Sequence, residues 1–488
     1  MGARCFTVRT FGCQMNVHDS ERIGEVLVSA GWAQTDDEAH ADLIVLNTCS
    51  VREKAEQKLR SLVGTLRPAR ARGAIIAVAG CVAQQEGERL LATMRHVDVV
   101  IGPDNIAELP ALVADAEVGA PPVVRTTFDL DEPRFLRVAP TGHVAPATAF
   151  VTTMKGCDER CSFCVVPYTR GPERYRPSDE IITEIASLVA RGTREVTLLG
   201  QTVNSYRDPS SSTSRDPTHG HGSSEGESEF AALLFRIARE APALARLRYT
   251  SPHPRHVGDE LVRAHAELSV LVDHIHLPVQ SGSDRMLKRM IRRYTRREYL
   301  ERLGRLRAVR PQSSVTTDVI VGFPGETRAD FDETLSLVRE VGYAQCFGFK
   351  FSRRPLTPAL RLDDDVSEEE KSARLTELFE VQETLTRESL AALVGTRQEV
   401  LVEGFSGTGA DAPESPRQIT GRTRRHEIVH VTVSPDAPDL TGALVTVHVA
   451  RANKHSLVGE LERLSAPRPD ATVTPVARRR TRLPVVSV

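Results

Sequence analysis

The sequence predicts an α/β protein built in three parts: an open parallel α/β sheet, a partial (β/α) barrel and a small antiparallel β-barrel. Three observations predict this class. Short apolar runs alternate with helical patterns through the first 120 residues, the same alternation returns over 145–365, and short strand patterns separated by Gly and Pro turns follow residue 395. Strands that alternate with helices form parallel sheets, whereas closely spaced strands form barrels or sandwiches.

Size and composition fit a globular protein of a reducing compartment. The chain has 488 residues, of which 40% are hydrophobic and 26% charged, so about three domains are expected. A net charge of −2 gives no overall attraction for nucleic acid, and any RNA affinity would depend on local patches. No apolar run approaches the roughly 20 residues of a membrane span, and no apolar signal core follows Met1. Eight cysteines in such a chain favour the cytoplasm and metal ligation over disulfides.

The first predicted domain covers residues 1–120. Strands are expected at 5–10, 42–47, 74–79 and 97–101, with helices at 19–30 and about 51–66. Cys13, Cys49 and Cys81 each follow one of the first three strands, and open α/β sheets build their ligand sites at such strand ends. The fold would bring these distant thiols together. They could hold a [4Fe–4S] cluster with one open iron, or they could be buried cysteines that act as small hydrophobes.

The second predicted domain covers residues 145–365 and is a partial barrel. Six strands are expected at 149–154, 195–199, 247–250, 274–278, 314–321 and 346–351. Residues 207–228, rich in Ser, Gly, Pro and Asp, interrupt this pattern and are expected to be a mobile insertion. In a (β/α) barrel the active site lies at the carboxyl ends of the strands. Cys5 and Cys346 lie within strand patterns and are expected to be core residues.

The most informative motif follows the first barrel strand, where Cys157, Cys161 and Cys164 form a C-x3-C-x2-C run. Three thiolates can hold a [4Fe–4S] cluster but leave its fourth iron open, because the next cysteine is Cys346. The spacing resembles the radical S-adenosylmethionine (SAM) enzymes, in which SAM binds that iron. The alternative is a zinc site of three cysteines and a histidine. It lacks a nearby ligand, since no histidine lies between His143 and His219.

The C-terminal part begins with a helix predicted at 366–394. Strands are then expected at 398–402, 428–432 and 444–450, which predict a small antiparallel barrel over 395–462. That stretch carries seven Lys and Arg against nine Asp and Glu, so its charge does not indicate RNA binding. Residues 466–488 carry five Arg and one Asp and are expected to be a disordered basic tail.

Several motifs together resemble one family, the methylthiotransferases, over about residues 4–462. These motifs are TFGCQMN at 10–16, NTCSVREKA at 47–55, AGC at 79–81, the cysteine loop with VPYTRG at 166–171, LGQTVN at 199–204, HLPVQSGS at 276–283 and DVIVGFPGET at 318–327. The residues after Cys13 and Cys49 resemble the branch that modifies dimethylallyladenosine in tRNA. Two other branches, which act on threonylcarbamoyladenosine in tRNA or on an aspartate of a ribosomal protein, remain alternatives. Phe351 and Leu356 depart from the usual family pattern.

The resemblance implies a radical reaction at an unactivated carbon. The substrate would be the N6-dimethylallyladenosine at tRNA position 37, next to the anticodon, and carbon 2 would receive a methylthio group. Two [4Fe–4S] clusters and two SAM molecules would be needed. Cys157, Cys161 and Cys164 would hold the SAM cluster, and Cys13, Cys49 and Cys81 the auxiliary cluster that carries sulfur. The C-terminal barrel would be a TRAM-like module that binds RNA.

Five further residues are candidates for binding SAM or substrate by the same resemblance. Gly200 and Gln201 would contact the SAM amino group, Gln280 and Ser281 would contact SAM or substrate, and Gly322 would shape the adenine pocket. Ordinary turns and loop hydrogen bonds are the alternative explanation of each. A pocket for the dimethylallyl group should be apolar, because burying five carbons contributes roughly 3–4 kcal/mol at about 0.8 kcal/mol per carbon.

The expected partners are the tRNA anticodon stem-loop, a reductant and a sulfur source, and a monomer without membrane attachment is expected. Two arginine groups could neutralise RNA phosphates or could be solvated faces: 292, 293, 296 and 297, and 422, 424 and 425. A rival of another class is a non-catalytic tRNA-binding protein with a structural metal.

Overall fold

The structure is a computed structural model that describes residues 4–50, 53–130, 133, 135–136, 145–211, 228–406 and 417–467. The expected mobile insertion lies mostly outside the described residues, and so does nearly all of the expected basic tail. Within the described residues, no helix is long and apolar enough to cross a membrane.

The first part of the chain forms a six-stranded sheet with the order β2-β1-β3-β4-β5-β6, in which every neighbouring pair is parallel. Its strands are β1 (Cys5–Phe11), β2 (Ala33–Gln34), β3 (Leu43–Thr48), β4 (Ile75–Ala79), β5 (Val99–Ile101) and β6 (Val123–Arg125). β3 and β4 are buried along their whole length because they are the central strands. The four predicted strands are confirmed, and the two edge strands β2 and β6 were not predicted.

Helices cover both faces of this sheet. They are α1 (Gln14–Ser29), α2 (Glu53–Thr65), α3 (Arg67–Ala71), α4 (Cys81–Glu86), α5 (Glu88–Thr93) and α6 (Leu109–Glu117). One apolar core joins the sheet to α1 and α6, and a second core on the opposite face joins it to α2 and α4. The helix predicted at 19–30 in fact begins at Gln14 with Cys13 as its N-cap residue, so that cysteine lies at a helix N-terminus.

The second part forms two three-stranded parallel sheets, ordered β11-β10-β7 and β12-β13-β14. The six strands of these sheets are β7 (Thr148–Thr152), β10 (Glu195–Leu199), β11 (Arg246–Tyr249), β12 (His274–His276), β13 (Ser314–Val321) and β14 (Gln345–Lys350). β8 (Met154–Lys155) and β9 (Arg174–Tyr175) form a separate antiparallel pair. A parallel bridge between Leu247 and Leu271 links the two sheets. Because β7 and β14 are not paired among the described residues, the result is a partial barrel, as predicted, with an open side between these two strands.

Eight helices follow or flank these strands. They are α7 (Val166–Thr169), α8 (Ser178–Ala190), α9 (Phe230–Glu240), α10 (Asp259–Glu267), α11 (Asp284–Arg289), α12 (Arg296–Val309), α13 (Arg328–Val341) and α14 (Glu368–Ala391). The apolar faces of α8 to α14 form one large core with the outer faces of the strands. α13 begins with a capping box at Thr327, and Gly342 ends it in a left-handed conformation, the terminal chemistry expected of such a helix.

The last part is a closed barrel with the order β15-β16-β17-β19-β18. Its strands are β15 (Arg397–Phe405), β16 (Arg417–Thr423), β17 (Ile428–Val433), β18 (Leu444–Ala452) and β19 (Leu457–Ala466). All neighbours are antiparallel except β17 and β19, which are parallel. The small barrel is therefore confirmed, while the domain boundaries drawn from the sequence stay predictions.

Arginines join the closed barrel to the partial barrel at the amino-terminal ends of its strands. Arg246 is fully buried and donates to the carboxylate of Glu399 and to the carbonyl oxygen of Arg422. Arg424 pairs with Asp273 at 3.0 Å and also donates to barrel carbonyl groups. Both earlier interpretations of this arginine group, RNA contact and solvated face, are wrong for Arg424, because its guanidinium is used inside the molecule.

Candidate functional site

Cys13, Cys49 and Cys81 lie at one edge of the first sheet. They follow β1, β3 and β4, which are adjacent and parallel, so their carboxyl ends meet. The backbone at Gly12 passes very close to Cys49. Gly12 has φ +131°, and a Cβ there would lie 2.2 Å from the Cβ of Cys49. The predicted convergence of these three thiols is thus seen in the fold, and only glycine fits at residue 12.

Two asparagines support this site. Asn16 accepts a hydrogen bond from the Cys13 thiol at 3.2 Å and donates to Asn47 at 3.1 Å. Asn47 in turn donates to the carbonyl oxygen of Asn16 and to Ser20. Both asparagines are fully buried. They fix the loop after β1 against β3, and thereby position Cys13 relative to Cys49.

The pKa values of Cys13 and Cys81 are shifted in opposite directions. A hydrogen bond from Cys49 lowers the pKa of Cys13 to about 6, against the opposing effect of burial and with further help from the charge of Arg170. Burial raises the pKa of Cys81, and Arg170 partly offsets this. Arg170 is itself buried and donates to Asp19 at 2.6 Å. A cation from the partial barrel therefore enters a site formed by the first sheet.

The second cysteine group lies in the loop that follows β8. Gly156 has φ +75°, and a Cβ there would lie 1.9 Å from the carbonyl oxygen of Pro172, so only glycine permits this turn. Cys157 donates its backbone N–H to the carbonyl oxygen of Gly171, and its sulfur lies 3.2 Å from the hydroxyl of Thr202. This loop is the single element that carries Cys157, Cys161 and Cys164, as the spacing predicted.

Arg292 is a residue of this site that the sequence did not reveal. Its guanidinium is buried and donates to the sulfur of Cys161 at 3.3 Å, to the hydroxyl of Tyr294 and to the carbonyl oxygen of Pro278. The two residues beside it, Ile291 and Arg293, have φ values of +57° and +54°. Such backbone is costly for a β-branched residue and persists where the surroundings require it. Both interpretations of Arg292 from the sequence, RNA contact and solvated face, are wrong.

The two cysteine groups face each other. α4 begins at Cys81, α7 follows Cys164, and these two helices pack together. Burial and the charge of Cys161 raise the pKa of Cys164 to about 12, and the charge of Cys81 contributes to the same rise. The sites thus lie on either side of the contact between the first sheet and the partial barrel.

The other five predicted residues follow the carboxyl ends of barrel strands β10, β12 and β13. Gln201 lies beside Thr202, and neither polar atom of its buried amide has a hydrogen-bond partner among the described residues. Gly200 is close-packed, since a Cβ there would lie 2.7 Å from Met154. Gln280 is buried with φ +75°, and its backbone pairs with β13.

Ser281 and Gly322 are engaged within the fold. The hydroxyl of Ser281 lies 3.3 Å from that of Thr334 in α13. Gly322 lies against α14, where a Cβ would lie 2.3 Å from the side chain of Lys371. For all five of these residues a contact with SAM or substrate stays a prediction.

A third group, Glu159, His253 and His256, has the residue types of a metal site. The hydrogen bonds argue against a metal there. His253 Nδ1 accepts from the backbone N–H of Arg255 at 3.2 Å, so the proton of the neutral ring lies on Nε2 and that nitrogen cannot bind a cation. His256 already lies 3.0 Å from the Glu159 carboxylate. The group therefore supports the cysteine loop through Glu159.

Comparison with known proteins agrees with this geometry. The Uncharacterized protein family UPF0004 matches residues 5–102, and the Radical SAM superfamily matches residues 151–338. A solved structure of the radical S-adenosylmethionine methyltransferase TsrM from Kitasatospora setae has a similar fold, with a TM-score of 0.50, 16% identity and 74% of each chain covered.

Sequence relatives extend over the whole chain. A tRNA-2-methylthio-N(6)-dimethylallyladenosine synthase of Sorangium cellulosum is 58% identical, with 99% of each chain covered. Proteins of the same name from Geobacter metallireducens and Myxococcus xanthus are 46% and 45% identical and cover 94% and 95% of this chain, and the alignments span 99% and 95% of those proteins. These relatives agree with the two facing cysteine groups and with the matching radical SAM domain. The chain therefore belongs to the family of tRNA-2-methylthio-N(6)-dimethylallyladenosine synthases.

Proposed function

We propose that this chain is a tRNA methylthiotransferase that converts N6-dimethylallyladenosine at tRNA position 37 into its 2-methylthio derivative. The observation that carries the proposal is the pair of facing cysteine groups. A radical reaction that inserts sulfur needs one site that starts the reaction and another that supplies the sulfur, and the contact of α4 with α7 brings two such sites together. Two SAM molecules are consumed for each product.

The residues present fit two [4Fe–4S] clusters. Each site offers three thiols from cysteines that form no disulfide, which matches a cluster with one open iron. The hydroxyl groups of Thr48 and Ser50, on either side of Cys49, are buried without a partner among the described residues. Such donors suit the sulfur atoms of a cluster. We assign Cys157, Cys161 and Cys164 to the SAM cluster, and Cys13, Cys49 and Cys81 to the auxiliary cluster.

When bound, SAM and the two clusters supply the one-electron chemistry that removes the hydrogen at carbon 2 and the sulfur that replaces it. The chain's own residues bind and orient these groups. The amide of Gln201, which has no hydrogen-bond partner among the described residues, supports the proposal that this residue binds the polar end of SAM. Arg292 supplies a buried positive charge beside Cys161. Thr202 holds Cys157 in place through its hydroxyl.

The proposal extends to location and partners. An enzyme that modifies tRNA works in the cytoplasm, where its substrate is found, and the anticodon stem-loop is the part of the tRNA that carries the target. A reductant and a sulfur source are also required, and we expect the enzyme to act as a monomer. Unstacked bases of RNA loops are the usual targets of base-specific recognition.

Reconstituted enzyme should be incubated under reducing conditions with SAM and anticodon stem-loops that bear unmodified, dimethylallyl or threonylcarbamoyl adenosine. The methylthio product should form fastest on the dimethylallyl RNA, and 5′-deoxyadenosine should accumulate with it. Faster reaction of the threonylcarbamoyl RNA would assign the chain to that branch instead. Zinc in place of iron, with no SAM cleavage, would support the non-catalytic tRNA-binding protein.

A further inference from the structure

The inner face of the partial barrel is open to solvent at its last strand. Along β14, residues alternate between the two faces: Cys346 and Gly348 are buried, while Gln345 and Phe347 are exposed. A Cβ on Gly348 would contact side chains of α14, so the buried face is the outer one. Phe347 therefore projects into the barrel, and 39% of it is exposed there.

Hydrogen bonds connect polar side chains across this inner face in one direction. Arg248 lies 3.0 Å from Nδ1 of His274 and can only donate, so that nitrogen accepts and the ring proton lies on Nε2. Burial and the charge of Arg248 hold the pKa of His274 well below its usual value, so the ring is neutral. His274 Nε2 then donates to Thr316 at 3.0 Å, and the Thr316 hydroxyl donates to Nδ1 of His276 at 2.9 Å. The remaining proton of His276, on Nε2, points to Asp318.

Asp318 is the last acceptor in this series of hydrogen bonds. His276 Nε2 lies 3.5 Å from one of its carboxylate oxygens. In the described part of the protein no other group donates a hydrogen bond to this carboxylate, which is 28% exposed. The strand register places Asp318 directly beside Phe347, whose ring lies 6.0 Å from His276 in an edge-to-face contact. A free acceptor and an exposed aromatic ring thus lie side by side.

These two groups suit a nitrogen base that carries an N–H and an apolar substituent. We propose that Asp318 and Phe347 form the seat of the target adenine: Asp318 accepts the N6–H, and Phe347 packs against the base and its dimethylallyl group. The inference rests on the proposed function and names the residues that recognise its substrate. β13 leads from Asp318 to the Gly322 loop at the carboxyl end of the barrel, the end at which the cysteine loop lies.

This seat differs from the apolar pocket expected from the sequence. One wall is aromatic and the other is a carboxylate, because a prenylated adenine still carries one N–H that must be satisfied when the base leaves water. The open side between β7 and β14 gives a base in an RNA loop access to Phe347, which lies on the edge strand of its sheet.

The test measures RNA binding by the cluster-loaded, full-length protein without reductant, so that no turnover occurs. Phe347→Ala should weaken binding of the dimethylallyl stem-loop about tenfold or more and abolish its preference over the unmodified stem-loop. Phe379→Ala is the matched control, since Phe379 is equally exposed at 38% but lies on α14 outside the barrel. The control should bind both RNAs as the wild type does.

Asp318→Asn should weaken binding of both stem-loops by a similar factor, because unmodified and prenylated adenosine both present an N6–H. The affinity for SAM, which also contains adenine, should not change in any variant. Loss of SAM binding with RNA binding intact would assign the seat to SAM and overturn the inference. An unchanged RNA preference in Phe347→Ala would also overturn it. Activity of the wild type distinguishes a failure of this inference from a failure of the proposed function. If the wild type forms no methylthio product under reducing conditions, the proposed function fails as well.

Discussion

The two cysteine sites are built in opposite ways. Cys157, Cys161 and Cys164 belong to one short loop, whereas Cys13, Cys49 and Cys81 come from the ends of three different strands. The loop site depends on local backbone, such as the turn at Gly156, and a spacing motif is enough to locate its three cysteines. The sheet site exists only once β1, β3 and β4 are paired, so it depends on the packing of the first domain. A local motif and a tertiary site can therefore each bring three thiols together with very different folding requirements.

The sites also differ in how their buried arginine is neutralised. Arg170, at the sheet site, is paired with the carboxylate of Asp19 at 2.6 Å. Arg292, at the loop site, donates to a sulfur, a hydroxyl and a carbonyl oxygen, and no carboxylate lies within ion-pair distance of it in the described part of the chain. The charge of Arg292 therefore has no direct ion-pair partner among the described residues, whereas that of Arg170 is partly cancelled by Asp19.

Removing the thiols should give the largest effect and separates the sites by function. The wild type should contain about eight iron atoms, four for each cluster, and replacing either set of three cysteines by Ala should halve this. The variant without Cys157, Cys161 and Cys164 should lose SAM cleavage completely. The variant without the other three should still release 5′-deoxyadenosine but form no methylthio product.

Cys346→Ala is the control for this experiment, because Cys346 is a buried cysteine in β14 away from both sites. Its iron content should equal that of the wild type. If the variant without Cys13, Cys49 and Cys81 keeps its full iron content, these three residues are structural. The sheet site would then hold no cluster, and the protein would have one cluster site instead of two.

Arg292→Gln should give the next largest effect. A guanidinium that donates to a ligand sulfur stabilises the extra negative charge of a reduced cluster. Its removal should disfavour reduction about tenfold, which at 59 mV per tenfold for one electron is a potential about 60 mV more negative. Potentiometric titration of the SAM-responsive paramagnetic signal measures this shift. Arg293→Gln removes the same charge from the next, exposed residue and should leave the potential unchanged.

Arg170 and Asp19 should give smaller shifts of opposite sign at the auxiliary cluster. Arg170→Gln should make that potential more negative by roughly 30 mV, which is about threefold in the equilibrium, and Asp19→Asn should make it less negative. Mere loosening of the site would move both variants in the same direction. Arg22→Gln, which breaks another ion pair between α1 and the barrel, is the control and should show no shift.

Most of the fold could be predicted from the sequence, because the central strands are continuous apolar runs. The failures have physical causes. β2 and β6 have two and three residues, too few for a pattern. β19 contains Glu, Leu and Arg, which favour helices, but it is held as a strand between β17 and β18. Gly459 permits that packing, since a Cβ there would lie 2.4 Å from Val447. Tertiary contacts thus override local propensity in this strand.

The candidate site could be predicted only where spacing or motif order carries it. The sequence predicts the two groups of three cysteines and their positions at strand ends and in one loop, while their role as cluster ligands stays a prediction. Arg292 was not, because it lies in a run of arginines that is typical of a solvated surface, and nothing about Ile291 reveals the left-handed backbone that turns the chain there. The sequence shows Arg170 only as part of the VPYTRG motif, because its partner Asp19 is 151 residues away in the chain.

The burial of Arg246 restricts how this molecule can be rearranged by evolution or by engineering. Its guanidinium is inaccessible and finds its acceptors in β15 and β16 of the closed barrel. Truncating the chain before Arg397 would remove the acceptors on Glu399 and Arg422 and expose Arg246 to solvent, with the Glu195 carboxylate, 3.9 Å away, as its remaining partner. A different module that covered Arg246 without offering an acceptor would leave a buried charge short of partners, a defect that costs about 3–5 kcal/mol. The C-terminal module therefore cannot be exchanged for another without regard to this contact. A chimaera that imports a different module must also bring an acceptor for Arg246, or replace that arginine with an apolar residue.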